Sequence, residues 1–218
     1  MKLKALYVIF VLKLFLACNT IPDQEQKPLN VSKISSDYLI QSVLWFQHSA
    51  EMRASYYQVY NMATRALDEK LKNTAPETHP AVVLDIDETV LDNSPFEGYL
   101  MKNDSAYNKE LWLTWTNMKK AASLPGALNF ISQAKEHGVE IFYVTNRRQI
   151  EQEATIENLK EQGFPFADTI HVLCRTDEAG KQSRRDKILK THTILLLIGD
   201  NLSDLSKAFD TRNDEGYS

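Results

Sequence analysis

The chain has 218 residues, 43% of them hydrophobic and 25% charged, with 25 Lys and Arg against 29 Asp and Glu for a formal net charge of −4. That balance excludes a disordered chain and a multi-span membrane protein, and it supplies no field that would draw in a nucleic acid polymer. Two cysteines, Cys18 and Cys174, are too few for a disulfide scaffold.

Lys2 and Lys4 precede an apolar run that ends at Ala17. This is the pattern of a secretory signal, too short to span a bilayer permanently. Phe15 fits the −3 position of an ordinary cleavage site poorly. Ala17-Cys18 resembles instead the bacterial lipobox, in which the cysteine becomes the acylated first residue, although Lys13, Phe15 and Leu16 depart from its usual pattern. The expectation is a lipoprotein signal over 1–17, a lipid-modified Cys18 and a polar tether over 18–36. Such a chain would be anchored to a lipid bilayer in the bacterial cell envelope, at the outer membrane or facing the periplasm.

From 37 to 72 neither Gly nor Pro interrupts the chain, and Leu39, Val43, Phe46, Ala50, Ala54, Tyr57, Tyr60, Ala63, Leu67 and Leu71 recur every three or four residues. The spacing predicts one long amphipathic helix, or two with a bend, packed on a core. Beyond Pro80, short apolar runs at 81–84, 139–144, 169–173 and 193–198 alternate with helical stretches at 125–136, 149–161 and 181–190. A last helix begins after Asn201. Apolar strands separated by helices predict an α/β fold, a three-layer parallel sheet with helices on both faces, within one domain over 37–218. Residues 93–123 leave this pattern for an insertion rich in aromatics, among them Phe96, Tyr99, Tyr107, Trp112 and Trp115, placed where a small helical cap would cover a crevice.

In such sheets ligands bind at the carboxyl ends of the strands. There the sequence places Asp85 and Asp87 after the first run, Thr145, Asn146 and Arg147 at the end of the second, Lys181 opening a helix, and Asp200 and Asp204 after the last run. Four aspartates drawn to one edge repel one another and call for a cation, and hard oxygen ligands select Mg²⁺. A carboxylate is a competent nucleophile toward phosphorus, and a second one two residues on can serve as general acid and base. The Thr145 hydroxyl and the Lys181 ammonium supply donors for phosphoryl oxygens. Blander readings stand beside these. Asp204 could simply cap a helix, Lys181 with Arg184 and Arg185 could line a solvated face, and Tyr107 could belong to the core of the insertion. Cys174 reads as a buried small residue, and the five histidines show no metal-ligand spacing.

The run Asp85-Ile86-Asp87-Glu88-Thr89-Val90, with Thr145, Lys181 and Gly199-Asp200-Asn201 followed by Asp204, resembles the four ordered motifs of the haloacid dehalogenase (HAD) superfamily of phosphatases. The extension through Leu91-Asp92-Asn93-Ser94-Pro95, with Tyr143-Val144-Thr145-Asn146-Arg147 and Ala50-Glu51-Met52-Arg53, resembles the bacterial class C acid phosphatases, the lipoprotein e (5′-nucleotidase) family. The likeness covers about residues 37–210. It implies Asp85 as nucleophile and Mg²⁺ ligand, and Asp87 as general acid/base that binds the metal through its backbone carbonyl. It further implies Asp200 and Asp204 for the metal shell, Thr145, Asn146 and Lys181 for phosphate, and Tyr107 for stacking on a nucleotide-like leaving group. The implied activity is hydrolysis of small phosphomonoesters, 5′-nucleotides among them, through an aspartyl-phosphate. The alternatives are a phosphotransferase on the same fold, or a catalytically idle surface lipoprotein that binds a ligand such as haem. The resemblance also implies a further strand and helix after the last motif, so the polar end over 210–218 reads either as a truncation or as a substrate slot open on one side. Oligomeric state is not legible in the sequence.

Overall fold

The computed structural model describes residues 37–75, 78–178 and 180–209. The expected signal, Cys18, the tether and the polar end over 210–218 lie outside them. No helix among the described residues is long and apolar enough to cross a membrane.

Four parallel strands form the sheet: β1 (Pro80–Leu84), β4 (Glu140–Arg148), β5 (Val172–Arg175) and β6 (Thr193–Ile198), in the order β5-β4-β1-β6. A two-stranded antiparallel pair, β2 (Leu91–Asp92) with β3 (Ala122–Ser123), stands beside it. The β1, β4 and β6 sequences are runs of aliphatic and aromatic residues because a parallel sheet is covered on both faces. Alternation along the strands divides the core accordingly. Val82, Leu84, Ile141 and Tyr143 face one cluster, while Ala81, Val83, Phe142 and Val144 face another that includes Ile188. The fold is thus the expected three-layer α/β sandwich.

The N-terminal helical region is two helices, α1 (Asp37–His48) and α2 (Ala50–Lys72). Ser49 divides them and caps α2, its hydroxyl accepting from the Met52 amide at 3.0 Å. Tyr60 and Leu67, expected on the packed face, are buried, but the break shifts the stripe over the first turns of α2: Ala50, Ala54 and Tyr57 are exposed and Met52 is buried. After β2, the insertion folds into α3 (Ser94–Lys102) and α4 (Lys109–Met118) before β3 returns the chain to the sheet. Next come α5 (Ala127–Glu136), a 3₁₀ turn (Gln149–Glu151) running into α6 (Gln152–Glu161), and α7 (Gln182–Ile188). A single turn, α8 (Leu202–Leu205), follows β6.

Two expectations shift in register. β4 runs past the apolar stretch through Arg148, so Thr145, Asn146 and Arg147 lie within the strand at its carboxyl end. β5 starts at Val172, not at 169, because the Asp168 carboxylate accepts from the Ile170 and His171 amides at 2.8 and 3.0 Å and holds that segment in a turn.

From β1 the connections step through β4 to β5, and the chain then returns to the other side of β1 to place β6. This reversal opens a crevice at the carboxyl ends of β1 and β6.

Candidate active site

Asp85 leaves β1 still in register with β6, its amide donating to the Ile198 carbonyl at 2.9 Å. The chain then turns tightly. The Ile86 carbonyl accepts from the Val90 and Leu91 amides, both at 2.9 Å, and Glu88 adopts left-handed backbone with φ 53°. The turn sends Asp87 toward β4. On that strand the two-residue period puts Thr145 and Arg147 on one face, both buried, with Asn146 exposed between them. β6 ends in Gly199-Asp200, where Asn201 caps α8. The Asn201 side chain accepts from Ser203 N at 3.1 Å, and Asp204 Oδ2 accepts from Asn201 N at 3.0 Å. Asp204 therefore caps a helix and faces the site at once; its two readings are not exclusive.

One carboxylate oxygen each from Asp85, Asp200 and Asp204 lie within 4.8 Å of one another. Lys181, buried at the entry to α7, bridges two of them, its Nζ 2.5 Å from Asp85 Oδ1 and 2.7 Å from Asp204 Oδ1. One ammonium does not balance three carboxylates. Burial pushes the Asp85 carboxyl well above the usual range, Lys181 opposes it, and the Asp87 and Asp204 charges add to the rise. Burial, then Asp204, raises Asp200 as well. A crowded set of carboxylate oxygens whose charge is under-compensated fits a hard divalent cation, and Asp85, Asp200 and Asp204 are the residues that could hold it.

Asp87 turns its side chain away from that cluster to Arg147. Its Oδ1 accepts from Arg147 Nη2 at 2.8 Å, Arg147 Nε at 3.0 Å and Asn93 Nδ2 at 2.9 Å. Its Oδ2 has only longer contacts, 3.3 Å to Arg147 Nε and 3.4 Å to Thr145 Oγ1. Asn93 Oδ1 accepts from Trp115 Nε1 at 2.8 Å, which ties the insertion to Asp87 through one side-chain amide. Arg147 also donates to Thr155 Oγ1 at 3.1 Å and lies over the Trp112 ring, 5.7 Å from its centroid. Glu88 accepts from the Asn93 amide at 2.9 Å, and burial, then Asp87, pushes its carboxyl up to about 8. In the sequence, Asn93 and Arg147 stand only as members of motif runs, with no role of their own. The available signal was the two-residue spacing from Thr145, which puts both side chains on the site face of β4.

Arg184 and Arg185 do not line a solvated face. Both are buried: Arg184 donates to the Thr145 carbonyl and, at 2.9 Å, to Asn146 Oδ1, while Arg185 donates to the Asp204 carbonyl at 2.5 Å. Two arginines thus pin the backbone and side-chain positions of β4 and α8 from α7. In the insertion, Phe96 is buried and surrounded edge-on by Tyr107 at 6.3 Å and Trp112 at 5.2 Å. Tyr107 is 60% exposed, so a face of its ring is open to solvent. Cys174 is a buried free thiol.

Carboxylates two residues apart at the end of β1, a buried lysine and acids after β6, all at the switch point of a parallel sheet, define a HAD-type fold and site. The chain belongs to the HAD superfamily, subfamily IIIB (acid phosphatase), whose sequence profile matches residues 4–215. Among solved structures it is similar to the class C acid phosphatase from Bacillus anthracis, 41% identical with TM-score 0.75, over 78% of this chain and 71% of that one. A structure of the class C acid phosphatase from Bacillus anthracis with tungstate bound gives 41% and 0.76, over 80% and 73%. Curated relatives include the stem 31 kDa glycoprotein of Glycine max, 28% identical over 132 residues, and the class B acid phosphatase of Xenorhabdus bovienii, 24% identical over 160. The alignments cover 56% and 70% of this chain, and the chain spans 51% and 66% of the length of these two relatives.

Proposed function

We propose that this protein is a divalent-metal-dependent phosphomonoesterase, with Mg²⁺ the ion, acting on 5′-nucleotides or similar small phosphate esters and tethered to the bacterial envelope through an acylated Cys18. The observation that carries the reading is the convergence of Asp85, Asp200, Asp204 and Lys181 beside an Asp87 held by Arg147. That a relative's structure holds tungstate, a tetrahedral oxyanion, supports an oxyanion site in this family.

In the proposed reaction, Asp85 attacks phosphorus and becomes an aspartyl-phosphate as the alkoxide departs. Asp87 gives that alkoxide its proton and later takes one from the attacking water. The proton resides on Oδ2, because Oδ1 is already filled by three donors. Lys181 and the Thr145 hydroxyl supply donors for the phosphoryl oxygens. A bound Mg²⁺, held by Asp85, Asp200 and Asp204 with the Asp87 backbone carbonyl, supplies charge neutralisation for carboxylates and phosphate. The exposed Tyr107 ring offers a face to a nucleobase, which stacking accepts with little sequence preference.

The test is hydrolysis of a chromogenic phosphate ester by the purified chain, with and without EDTA and with Mg²⁺ restored. Asp85→Asn is expected to lower kcat by at least about 10³-fold, since it removes the nucleophile. Activity that persists in both EDTA and Asp85→Asn would falsify the mechanism. A panel of 5′-nucleotides against aliphatic phosphates, with Tyr107→Ala alongside, tests the substrate class. Membrane partition of wild type against Cys18→Ser tests the anchor.

A further inference from the structure

The turn that carries Asp85 and Asp87 into the site is held from behind by two phenols. Tyr56 and Tyr60 lie one helical turn apart on α2, so their side chains share a face. Tyr56 Oη donates to the Glu88 carbonyl at 2.5 Å and Tyr60 Oη donates to the Thr89 carbonyl at 2.7 Å. These carbonyls belong to the Glu88–Thr89 and Thr89–Val90 peptides, the second and third after Asp87, and Glu88, which joins them to Asp87, has left-handed backbone, a conformation that a residue with a Cβ holds only when its surroundings impose it. The phenols are themselves fixed. Tyr60 is buried against Phe130 with ring centroids 5.6 Å apart, and the Tyr56 ring meets Phe46 edge-on at 6.1 Å. Burial also raises both phenols far above their ordinary titration range, which keeps them donors.

We propose that Tyr56 and Tyr60 are positioning residues of the phosphatase site. They fix the Glu88–Thr89 and Thr89–Val90 peptide planes and, through the left-handed Glu88, the path of the turn from which Asp87 presents its backbone carbonyl and carboxylate. Arg147 holds Asp87 by its side chain from β4, so the turn is held from two elements, the backbone after Asp87 by the helix and the Asp87 carboxylate by the strand. Removing the Tyr56 hydroxyl frees the Glu88–Thr89 peptide to rotate while leaving the ring in place. A displacement near 1 Å at a reacting group costs up to about a hundredfold in rate.

The role as stated rests on the phosphatase reading, and the experiment separates the two. Tyr56→Phe and Tyr60→Phe are made in the full chain, with Tyr57→Phe, an exposed ring on the same helix, as control. kcat and KM are measured on a chromogenic ester, together with amide hydrogen exchange over 86–90. Tyr56→Phe is expected to lower kcat by about tenfold or more with KM within about twofold, and to speed exchange over 86–90 at an unchanged melting temperature. Tyr57→Phe changes none of these. If wild type hydrolyses no ester under any metal condition, the function reading fails while exchange still decides the clamp. Unchanged exchange over 86–90 in Tyr56→Phe overturns the proposal, as does a raised KM with kcat intact. Tyr56 is only half-buried, so its variant decides the matter even if Tyr60→Phe does not fold.

Discussion

Arg147 is a strand residue that behaves as part of the loop it faces. Its guanidinium is buried, which disfavours its charge, yet the Asp87 carboxylate outweighs that penalty and holds Arg147 above its ordinary value. Breaking a buried pair from one side costs about 3–5 kcal/mol, because the remaining charge is left without a partner. Asp87 keeps 24% of its side chain exposed, so the lower end applies. Arg147→Met is therefore expected to lower stability by about 3 kcal/mol, roughly 6–12 °C in melting temperature for a chain of this size, read by thermal unfolding. A loss under about 1 kcal/mol would mean that water screens Asp87 better than the geometry indicates. The four site aspartates were legible in the sequence because strand ends before turns are where a parallel sheet gathers chemistry. Arg147 was not legible as a partner, since its contact with Asp87 spans 60 positions and exists only once β1 and β4 pair.

The junction between β6 and α8 shows how an element boundary sets a site. An added Cβ at Gly199 would overlap the Asp204 side chain, so the strand can end beside the carboxylate only with a residue that lacks one. Gly199→Ala is expected to push Asp204 from Lys181 and to weaken Mg²⁺ activation, with a stability loss of about 1–3 kcal/mol from overpacking. Titration of activity against Mg²⁺ checks this, and an unchanged half-saturating concentration would place Asp204 outside the metal shell. At the same scale the alternation of strands and helices was readable from apolar runs, but two details were not. The stripe was misphased only over the first turns of α2, where the Ser49 cap rather than continuous periodicity sets where Met52 points. The start of β5 was misplaced because Asp168 draws two backbone amides into a turn that apolarity does not encode.

Across the whole molecule the sheet has opposite chemistry at its two edges. Carboxylates and Lys181 collect at the carboxyl ends, whereas the amino ends carry His79, Glu140, His171 and His192, one beside each strand. Glu140 accepts from His171 Nε2 at 2.8 Å and from His192 Nε2 at 3.0 Å, and Asp168 accepts from His171 Nδ1 at 2.7 Å. Both ring nitrogens of His171 thus face carboxylate oxygens. Burial works to raise Glu140 and Asp168, but hydrogen bonds from His171, and for Glu140 also from His192, leave both below their ordinary values. A carboxyl depressed on folding contributes stability that is complete above its unfolded value, near 4, and vanishes as pH falls through the folded one. Glu140 and Asp168 are 35% and 48% exposed, so solvent screening limits the contribution of each to under about 1 kcal/mol. Glu140→Gln should therefore melt roughly 2–4 °C below wild type at pH 5 to 6, and the gap should close toward pH 3 as the wild-type carboxylate also loses its charge. Thermal melts across pH 3–6 decide it: a gap that stays constant over that range would show that Glu140 acts through packing rather than charge, and that the histidine edge adds nothing to stability in acid.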